Sequence, residues 1–424
     1  MNSTKKLTII IGLVLFLFGL YSCDDPVSDE VGNSYQQEQI PWASLAGTPW
    51  PIERHDAQGT ARSEYAGPSM PTTHISSGDS LYVEGTAVLG ETNNLYFIGI
   101  SEWTQNLLIK RDDSNLTLWS IDFGGSTLEN SYSPTLADGN VIYTCDGISG
   151  TLAAVNSQDG SLLWAQVFSD YLRSGVSVDR DGNLYVVIGN QHSLKSLDPS
   201  GNIRWESPTS VQVHSFTKPP VIFSPTLDVM FCSGSDSVYS ISLNGHVNWG
   251  YHTGSGYLNM MVDNSSNIYF FNPIDSSFTC LMPNGAVRWK THMNECGLAR
   301  VFEHEAPTID YKGNVYYVVM GAEYELGVCS LSNTGEFRWL WTGFGGYQGA
   351  TTPLTSDKNN AIYFGYSEDD IAHVFCISSE GLLNWEYSIQ GFSHLRGEVV
   401  IRSDSKLVLT DQNTNANPIV IVGR

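Results

Sequence analysis

A glycine followed four residues later by a tryptophan recurs along this chain, and that spacing constrains the fold more than any other feature. The six pairs are Gly160 and Trp164, Gly201 and Trp205, Gly245 and Trp249, Gly285 and Trp289, Gly335 and Trp339, and Gly381 and Trp385. A glycine at the end of a tight hairpin adopts a positive φ without steric cost, so the indole falls at one fixed place on the next strand. The pattern predicts one β-hairpin repeated many times.

A seventh copy has Asn115 in the glycine position before Trp119. After glycine, asparagine is the residue that best tolerates the left-handed region, so this copy fits the same turn. The tryptophans are 40 to 50 residues apart, a period that fits four short strands with their turns. The tryptophans that mark this repeat are Trp119, Trp164, Trp205, Trp249, Trp289, Trp339 and Trp385. Each repeat is predicted to be one four-stranded blade of a β-propeller.

Composition and chain length agree with an all-β repeat protein. The 424 residues include 40 Gly, 21 Tyr and 11 Trp but only 15% charged residues, as many short strands with tight turns require. Residues 183–189 (NLYVVIG) and 314–321 (NVYYVVMG) are apolar on both faces, as expected for strands between neighbouring blades. A single propeller over residues 49–424 is therefore predicted.

The number of blades follows from what remains at the two ends of the repeats. After Trp385, residues 397–424 read as three strands without another glycine and tryptophan pair. Residues 70–78 (MPTTHISSG) precede the first complete repeat and could supply the missing outermost strand. Eight blades closed by N- and C-terminal strands are predicted, because closure removes an exposed sheet edge. Seven self-sufficient blades are the alternative.

The first 48 residues have the pattern of a lipoprotein leader and a tether. Residues 1–22 combine a basic start with an apolar run too short to span a membrane, which is typical of a signal peptide; a short anchor helix is the alternative. The LYSC sequence ending at Cys23 resembles the lipobox of bacterial lipoproteins, a resemblance that implies a lipid on Cys23. Residues 23–48 begin acidic and polar, so they are predicted to form a flexible tether.

Charge and leader together narrow the location and the partner. The acidic residues after Cys23 resemble the surface-export signal of Bacteroidetes-type lipoproteins, although acid there can also signal inner-membrane retention. The bacterial envelope is predicted, with the outer membrane or cell surface favoured. A formal net charge of −23 argues against nucleic acid, which binds basic surfaces. An envelope protein is the expected partner.

The repeat itself resembles a known family. Its pattern, LYxxxxxxxLxxLxPxGxxxW, resembles the pyrroloquinoline-quinone (PQQ) propeller repeat, which also occurs in the propeller lipoprotein of the outer-membrane barrel assembly machine. Residues 49–68 (PWPIERHDAQGTARSEYAGP) resemble a motif of bacterial PQQ-like proteins, WPxxRHDxQxTGRSxYxGP, with Ala61 in place of the usual glycine. The resemblance covers about residues 49–424. WD-repeat propellers have a similar period, but no WD dipeptide closes a repeat here.

Two functions are compatible with this family. Its quinone-dependent dehydrogenases typically clamp PQQ with adjacent cysteines, and no two cysteines are adjacent here. Cys280, Cys329 and Cys376 are assigned to the position of Ser196 and Ser240 in other blades, as buried packing residues. We therefore expect a membrane-anchored, non-catalytic scaffold that binds a protein or ligand, with no catalytic residue, no cofactor and no metal site. A periplasmic PQQ-dependent quinoprotein oxidoreductase is the alternative.

The residues just before the innermost strands should line one mouth of the central channel. Aligning the blades on small or proline positions places there Glu84, Tyr132, Arg173, Lys218, Leu258, Glu305, Thr351 and Arg396. Glu303, His304 and Glu305 form the densest titratable cluster. Three basic residues at one mouth of an acidic protein predict a positive patch for an acidic loop or ligand, whereas a solvated rim is the simpler interpretation.

Overall fold

Eight antiparallel sheets form the folded body of the chain in the computed structural model. The structure describes residues 35–76, 80–83, 85–101, 105–122, 132–208, 211–213, 219–256, 258–302, 305–344, 349–395, 397–412 and 419–424. The predicted propeller of eight four-stranded blades is confirmed, and the seven-bladed alternative is wrong. Three of the sheets carry one additional short strand, because their innermost strand is interrupted.

The blades are numbered 1 to 8 in chain order, and their strands are given from the axis outward. Blade 1 contains Leu81–Tyr82 with Val88–Leu89, Leu95–Ser101, Gln105–Arg111 and Thr117–Asp122. Blade 2 contains Thr135–Ala137, Val141–Asp146, Thr151–Asn156 and Leu162–Val167. Blade 3 contains Ser177–Val178, Leu184–Ile188, Ser193–Leu197 and Ile203–Glu206. Blade 4 contains Ile222–Phe223, Val229–Ser233, Ser237–Ser242 and Val247–His252.

The second half of the molecule repeats this order. Blade 5 contains Met261–Val262, Ile268–Asn272, Ser277–Leu281 and Val287–His292. Blade 6 contains Leu298–Val301 with Thr308–Ile309, Val315–Gly321, Leu326–Leu331 and Phe337–Phe344. Blade 7 contains Ala350–Thr351 with Thr355–Ser356, Ile362–Glu368, Ile371–Ile377 and Leu383–Gln390. Blade 8 contains Val400–Ile401, Leu407–Thr410, Ile419–Gly423 and Thr73–Ser76. The described helical turns are Glu91–Asn93 and Met293–Cys296.

Blade 8 closes the ring with strands from both ends of the chain. Thr73–Ser76 pairs antiparallel with Ile419–Gly423, so that Thr73 lies opposite Gly423 and Ser76 opposite Val420. The outermost strand that the sequence predicted within residues 70–78 is therefore confirmed. Closure leaves this propeller without an unpaired seam between its first and last sequence repeats.

Each repeat tryptophan packs on the hairpin of the following blade. In the six glycine turns φ lies between +77° and +90°, and a Cβ on the glycine would come within 3.3 Å of the indole of the preceding blade. Each indole Nε1 also donates a hydrogen bond of 2.9–3.1 Å to a backbone carbonyl there. Trp385, which faces blade 8, donates instead to the Pro68 carbonyl at 3.0 Å. The glycine thus satisfies two demands, a left-handed backbone and a close approach.

The asparagine exception has a physical reason. Asn115 has a φ of +67°, as the turn requires. The blade before blade 1 is blade 8, whose outermost strand is Thr73–Ser76 and contains no tryptophan. Because no indole presses on this turn, a residue with a side chain fits, and Asn115 Nδ2 donates a hydrogen bond to the Ile419 carbonyl at 3.2 Å.

The six described cysteines are free and buried. Cys280 lies opposite Trp289 and Cys376 opposite Trp385, in the strand position that was aligned with Ser196. The assignment of Cys329 to this position is wrong by one residue, since Ser330 lies opposite Trp339. The hydrophobic residues form clusters between neighbouring blades, and the cysteines belong to those clusters.

The predicted tether differs from the structure in its second half. Residues 23–34 lie outside the described residues, whereas residues 35–48 lie against the propeller. Within that segment Leu45 forms an isolated bridge with Ala137, and the Ala46 N–H donates to the Leu136 carbonyl at 3.0 Å. We call residues 35–48 the strap. Its polar composition suggested a free chain, but these bonds fix it to the blades.

Candidate functional site at the ends of the central channel

One mouth of the channel is closed by residues 50–63, which we call the plug. Five backbone N–H groups of innermost strands donate hydrogen bonds to its carbonyls, as they would to a neighbouring strand. The bonds run from Leu89 N to Trp50 O, Leu136 N to Pro51 O, Phe223 N to Ala57 O, Val262 N to Gln58 O and Ser356 N to Ala61 O, at 2.7–3.0 Å. All plug residues are buried except the partly exposed Glu53. The plug therefore crosses the axis and joins blades far apart in sequence.

A buried ion pair lies where the plug crosses the axis. Arg54 and Glu398 are each 2% exposed, and Arg54 Nη1 lies 3.2 Å from Glu398 Oε2. Trp50 Nε1 donates to Glu398 Oε1 at 3.0 Å. The Arg54 guanidinium also donates to the carbonyls of Leu354 and Pro307. A buried charge is tolerated only when it is paired and hydrogen-bonded, and both partners meet that condition.

The next turn of the plug is held by a second buried carboxylate. Asp56 accepts hydrogen bonds from the N–H groups of Gln58 at 3.1 Å and Thr60 at 3.0 Å, and from the Thr60 hydroxyl. Burial by itself raises the pKa of Asp56, but His55, Arg62 and Thr60 together lower it below its usual value. The charged form of Asp56 is therefore the form that stabilises the plug.

Arg62, near the end of the plug, contacts both an aromatic ring and a backbone carbonyl. Its guanidinium lies 4.9 Å from the centre of the Tyr311 ring and donates to the Glu38 carbonyl at 2.8 Å. Burial lowers its pKa, and Asp56 opposes that effect. Nε and Nη1 of Arg62 have no hydrogen-bond partner among the described residues. The Glu38 contact joins the end of the plug to the strap.

The strap continues this closure around the same face. The Tyr35 hydroxyl donates to Asp263 in blade 5 and accepts a hydrogen bond from Asn267 Nδ2 at 2.8 Å. Burial, followed by the charge of Asp263, raises the pKa of Tyr35. Trp42 Nε1 donates to the Val178 carbonyl in blade 3 at 2.9 Å. Strap and plug together contact all eight blades.

Local backbone geometry explains part of the plug motif. Arg54, His55 and Ala61 all have positive φ, of 64°, 71° and 48°. Ala61 is the position at which the related motif has glycine, and glycine is the residue that adopts this conformation without steric cost. The plug is thus a compact series of turns, and only the residue pattern 49–68 indicated that it was special.

The sequence predicted a ring of eight residues at the opposite mouth, and five of them lie among the described residues: Tyr132, Arg173, Leu258, Glu305 and Thr351. Tyr132 is buried, and a Cβ on Gly175 would lie 3.4 Å from its Cβ, so it packs against blade 3. Thr351 Oγ1 donates to Glu305 Oε1 at 3.2 Å, which brings two predicted rim residues together. Glu84, Lys218, Arg396, Glu303 and His304 lie outside the described residues, as does Cys23.

Arg173 is engaged within its own blade. Its Nη2 donates to Asn190 Oδ1 at 2.6 Å, and its guanidinium lies 5.4 Å from the centre of the Tyr171 ring. Both partners belong to blade 3. Arg173 is therefore a half-buried rim residue with partners in its own blade.

The described residues do not fit PQQ at the plugged mouth. The guanidinium of Arg54, the basic group at the axis, is bonded to Glu398 and to two backbone carbonyls. The space beside it is filled by buried plug residues. In the described part of the chain, no three His, Cys, Asp or Glu side chains come together as a metal site.

These features define the class: an eight-bladed β-propeller with a quinoprotein-type repeat, one channel mouth of which is closed by its own N-terminal segment. The sequence model of the outer membrane protein assembly factor BamB matches residues 148–276. A search of curated protein sequences finds no significant match. Among the described residues, no helix has the length and apolar character needed to cross a membrane.

Solved structures from both functional groups resemble this chain. Quinohemoprotein alcohol dehydrogenase from Comamonas testosteroni has a TM-score of 0.65 at 11% identity, over 90% of this chain and 82% of that one. BamB from Moraxella catarrhalis has a TM-score of 0.55 at 14% identity, over 83% of this chain and 98% of that one. Quinohemoprotein alcohol dehydrogenase ADHIIG from Pseudomonas putida HK5 has a TM-score of 0.64 at 10% identity, over 91% and 82%. The likeness shows the fold, and a fold of this kind does not by itself define a function.

Proposed function

We propose that this protein is a non-catalytic propeller scaffold, anchored through a lipid on Cys23 to a membrane of the bacterial envelope, where it binds a protein partner. The single observation that favours a scaffold over an oxidoreductase is the plug. Arg54 and Glu398 bond to each other, and the backbone of residues 50–63 occupies one end of the channel. We therefore place partner binding at the second mouth and in the grooves between blades.

Anchoring is tested by fractionation. Cys23→Ser should move the protein from the membrane fraction to the soluble fraction, since acyl chains hold a protein at the bilayer by burial of their methylenes. Cys376→Ser is a matched control, because serine fills the equivalent position in blade 6. The control should stay in the membrane fraction. Membrane retention of Cys23→Ser, with no acyl mass on the N-terminal peptide, contradicts the anchor.

The absence of PQQ chemistry is tested directly. Added PQQ and calcium should give no reduction of an artificial dye with alcohols or sugars, because the described residues offer PQQ no site at the plugged mouth and the chain has no adjacent cysteines. The measurement is dye absorbance together with quinone fluorescence after gel filtration. Substrate-dependent turnover with retained quinone would favour the oxidoreductase over the scaffold.

Partner binding at the open mouth is tested with charge reversal. The variant Arg173→Glu, Lys218→Glu, Arg396→Glu should fold normally, because rim charges contribute little to stability. It should lose the partner that the unaltered protein captures from solubilised envelopes, and the capture should weaken with salt. Recovery of the same partner with the same salt dependence would move the binding surface away from this mouth.

A further inference from the structure

Four blades share one arrangement of polar side chains in the groove that faces the next blade. An aspartate accepts the hydroxyl of a tyrosine six residues later at 2.7–3.0 Å; the pairs are Asp179 and Tyr185, Asp263 and Tyr269, Asp310 and Tyr316, and Asp357 and Tyr363. A small residue lies opposite each repeat tryptophan; these are Ser196, Cys280, Ser330 and Cys376. The residue directly before the tryptophan faces the same groove.

In three of these blades that residue is an arginine, and its guanidinium contacts residues that line the groove. Arg204 Nη1 donates to Ser196 Oγ at 3.0 Å in blade 3. Arg338 Nη1 donates to Ser330 Oγ at 2.8 Å in blade 6. In blade 5 the guanidinium of Arg288 lies 5.2 Å from the centre of the Tyr35 ring of the strap. The chain thus supplies its own guanidinium group beside each of these tyrosine and aspartate pairs.

Blade 7 keeps the arrangement but has lost the arginine. The position is Asn384, whose shorter amide donates to Cys376 Sγ at 3.4 Å. The ring centres of Tyr363 and Trp385 are 5.9 Å apart, as are those of Tyr269 and Trp289 in blade 5, so the aromatic pair is kept. The Gly67 N–H also donates to Asp357 Oδ2 at 3.2 Å in this groove. A cavity of about 820 Å³ opens between blades 7 and 8 at this point.

A buried carboxyl group, that of Asp357, lines the cavity. Asp357 is 1% exposed, and burial raises its pKa although N–H groups of Ala361, Gly67 and Asn359 oppose the shift. Two basic residues lie on the rim with partners of their own: Lys406 Nζ is 3.4 Å from Asp404, and Arg424 Nε donates to the Met70 carbonyl at 3.3 Å.

We propose that the groove between blades 7 and 8 binds the guanidinium group of an arginine side chain carried by a partner protein, in the place that Arg204, Arg288 and Arg338 occupy in their own grooves. The net charge of −23 favours a partner that presents basic residues. Arginine suits the site better than lysine, because its planar group donates to several acceptors at once and stacks on aromatic rings. That the arginine belongs to a protein rests on the proposed scaffold function. The site itself is tested with small probes, without a partner protein.

The experiment titrates N-acetyl-L-argininamide into the purified mature protein and follows binding by saturation-transfer NMR. The matched probe is N-acetyl-L-citrullinamide, which has the same shape without the charge and should bind at least about tenfold more weakly, as charge-assisted hydrogen bonds are lost. Asn384→Arg should abolish binding, because the chain then fills its own groove. Leu163→Arg, at the equivalent position of blade 2, is the matched control and should leave binding unchanged.

Each outcome bears on the site. Equal binding of the two probes, unchanged binding by Asn384→Arg, or no saturable binding of the arginine probe overturns the proposal. Free L-arginine binding more tightly than the capped probe would make this a small-molecule site and overturn the protein occupant. If Asn384→Arg does not fold, the two-probe comparison on the unaltered protein still decides. A failed capture of envelope partners contradicts the scaffold but leaves the probe result intact, so the two failures are distinguishable.

Discussion

The two mouths of the channel are built in opposite ways. At the plugged mouth, backbone groups at innermost strand ends bond to residues 50–63 across the axis, and Arg54 pairs with Glu398 at a sequence separation of 344 residues. At the open mouth, the bonds of the described rim residues stay within one blade or join neighbouring blades, as Arg173 bonds to Asn190 in blade 3 and Thr351 of blade 7 bonds to Glu305 of blade 6. One mouth therefore holds the ring together, whereas the other leaves side chains at a surface.

This difference indicates which residues should affect stability and which should affect binding. Loop-borne residues on a rigid scaffold can change without cost to the fold, so binding surfaces are expected there. Buried polar groups that join distant blades cannot change without leaving an unpaired partner. Substitutions at the plugged mouth should therefore cost stability, and substitutions at the open mouth should affect binding alone.

The largest effect is expected for the axial ion pair. Arg54→Ala or Glu398→Ala should lower the free energy of unfolding by about 3–5 kcal/mol, because each leaves a buried, unpaired charge. Arg173→Ala at the open mouth is the contrasting variant and should cost less than about 1 kcal/mol. Urea denaturation followed by tryptophan fluorescence measures all three. Equal losses at the two mouths would contradict the division of roles.

A double variant sharpens the same comparison. Arg54→Leu combined with Glu398→Leu removes both charges and keeps apolar volume at the axis. Its loss should be smaller than the sum of the two single losses, because neither charge is left alone. Additive losses would mean that the two side chains act independently of each other.

The blades were predictable because their information is periodic. Seven copies of one spacing, each with a positive φ at the turn, repeat the same local physics, so the period predicts the strands and turns of seven blades. Blade 8, which combines strands from both ends of the chain, followed from the three strands left over after Trp385. Cys329, by contrast, was assigned one residue out of register. The period does not decide between two adjacent small residues, Cys329 and Ser330, for the position opposite Trp339.

The plug was not predictable in the same way, since it occurs once. Residues 49–68 were identified only as a motif, and nothing local shows that Ala57 meets blade 4 or that Ala61 meets blade 7. The strap was missed because its polar composition resembles a free chain, although Tyr35 and Trp42 were available as anchors. Aromatic residues within an otherwise polar leader are the signal that could have found it.

An acid-dependent loss of stability should arise at the plugged mouth. The folded pKa of Asp56 is lower than its ordinary value, so the folded state favours the carboxylate. Its contribution is complete above about pH 5 and is lost as the pH falls through the lower, folded-state pKa. Asp56→Asn should therefore destabilise the protein by about 1–3 kcal/mol at neutral pH. The gap to the unaltered protein, measured by urea denaturation from pH 7 to pH 3, should narrow as pH falls; a constant gap contradicts the assignment.

A matched pair of threonines compares the two mouths with one chemical change. Thr308 Oγ1 donates to the Thr60 carbonyl of the plug at 2.7 Å, and Thr351 Oγ1 donates to Glu305 at the open mouth. Thr308→Val should cost about 1–2 kcal/mol because a buried carbonyl loses its donor, whereas Thr351→Val should cost about 0.5 kcal/mol because the half-buried Glu305 carboxylate is reached by solvent. Thermal unfolding by circular dichroism measures both. The reverse order would place the structural role at the open mouth.

The smallest effect is expected where the plug departs from its related motif. Ala61 has a φ of 48° and is fully buried, so Ala61→Gly removes left-handed strain and also removes a buried methyl group. Strain relief of about 1–2 kcal/mol and the loss of about 0.8 kcal/mol of burial oppose each other, so the net change should be within about 1 kcal/mol of zero. Ala61→Val should instead lower the midpoint of thermal unfolding clearly, because a β-branched side chain is strained at this φ and must be accommodated between the plug and blade 7. A large loss of stability in Ala61→Gly would mean that burial of the methyl group stabilises the protein by more than the left-handed backbone strain destabilises it. Backbone conformation would then not explain why the related motif has glycine at this position.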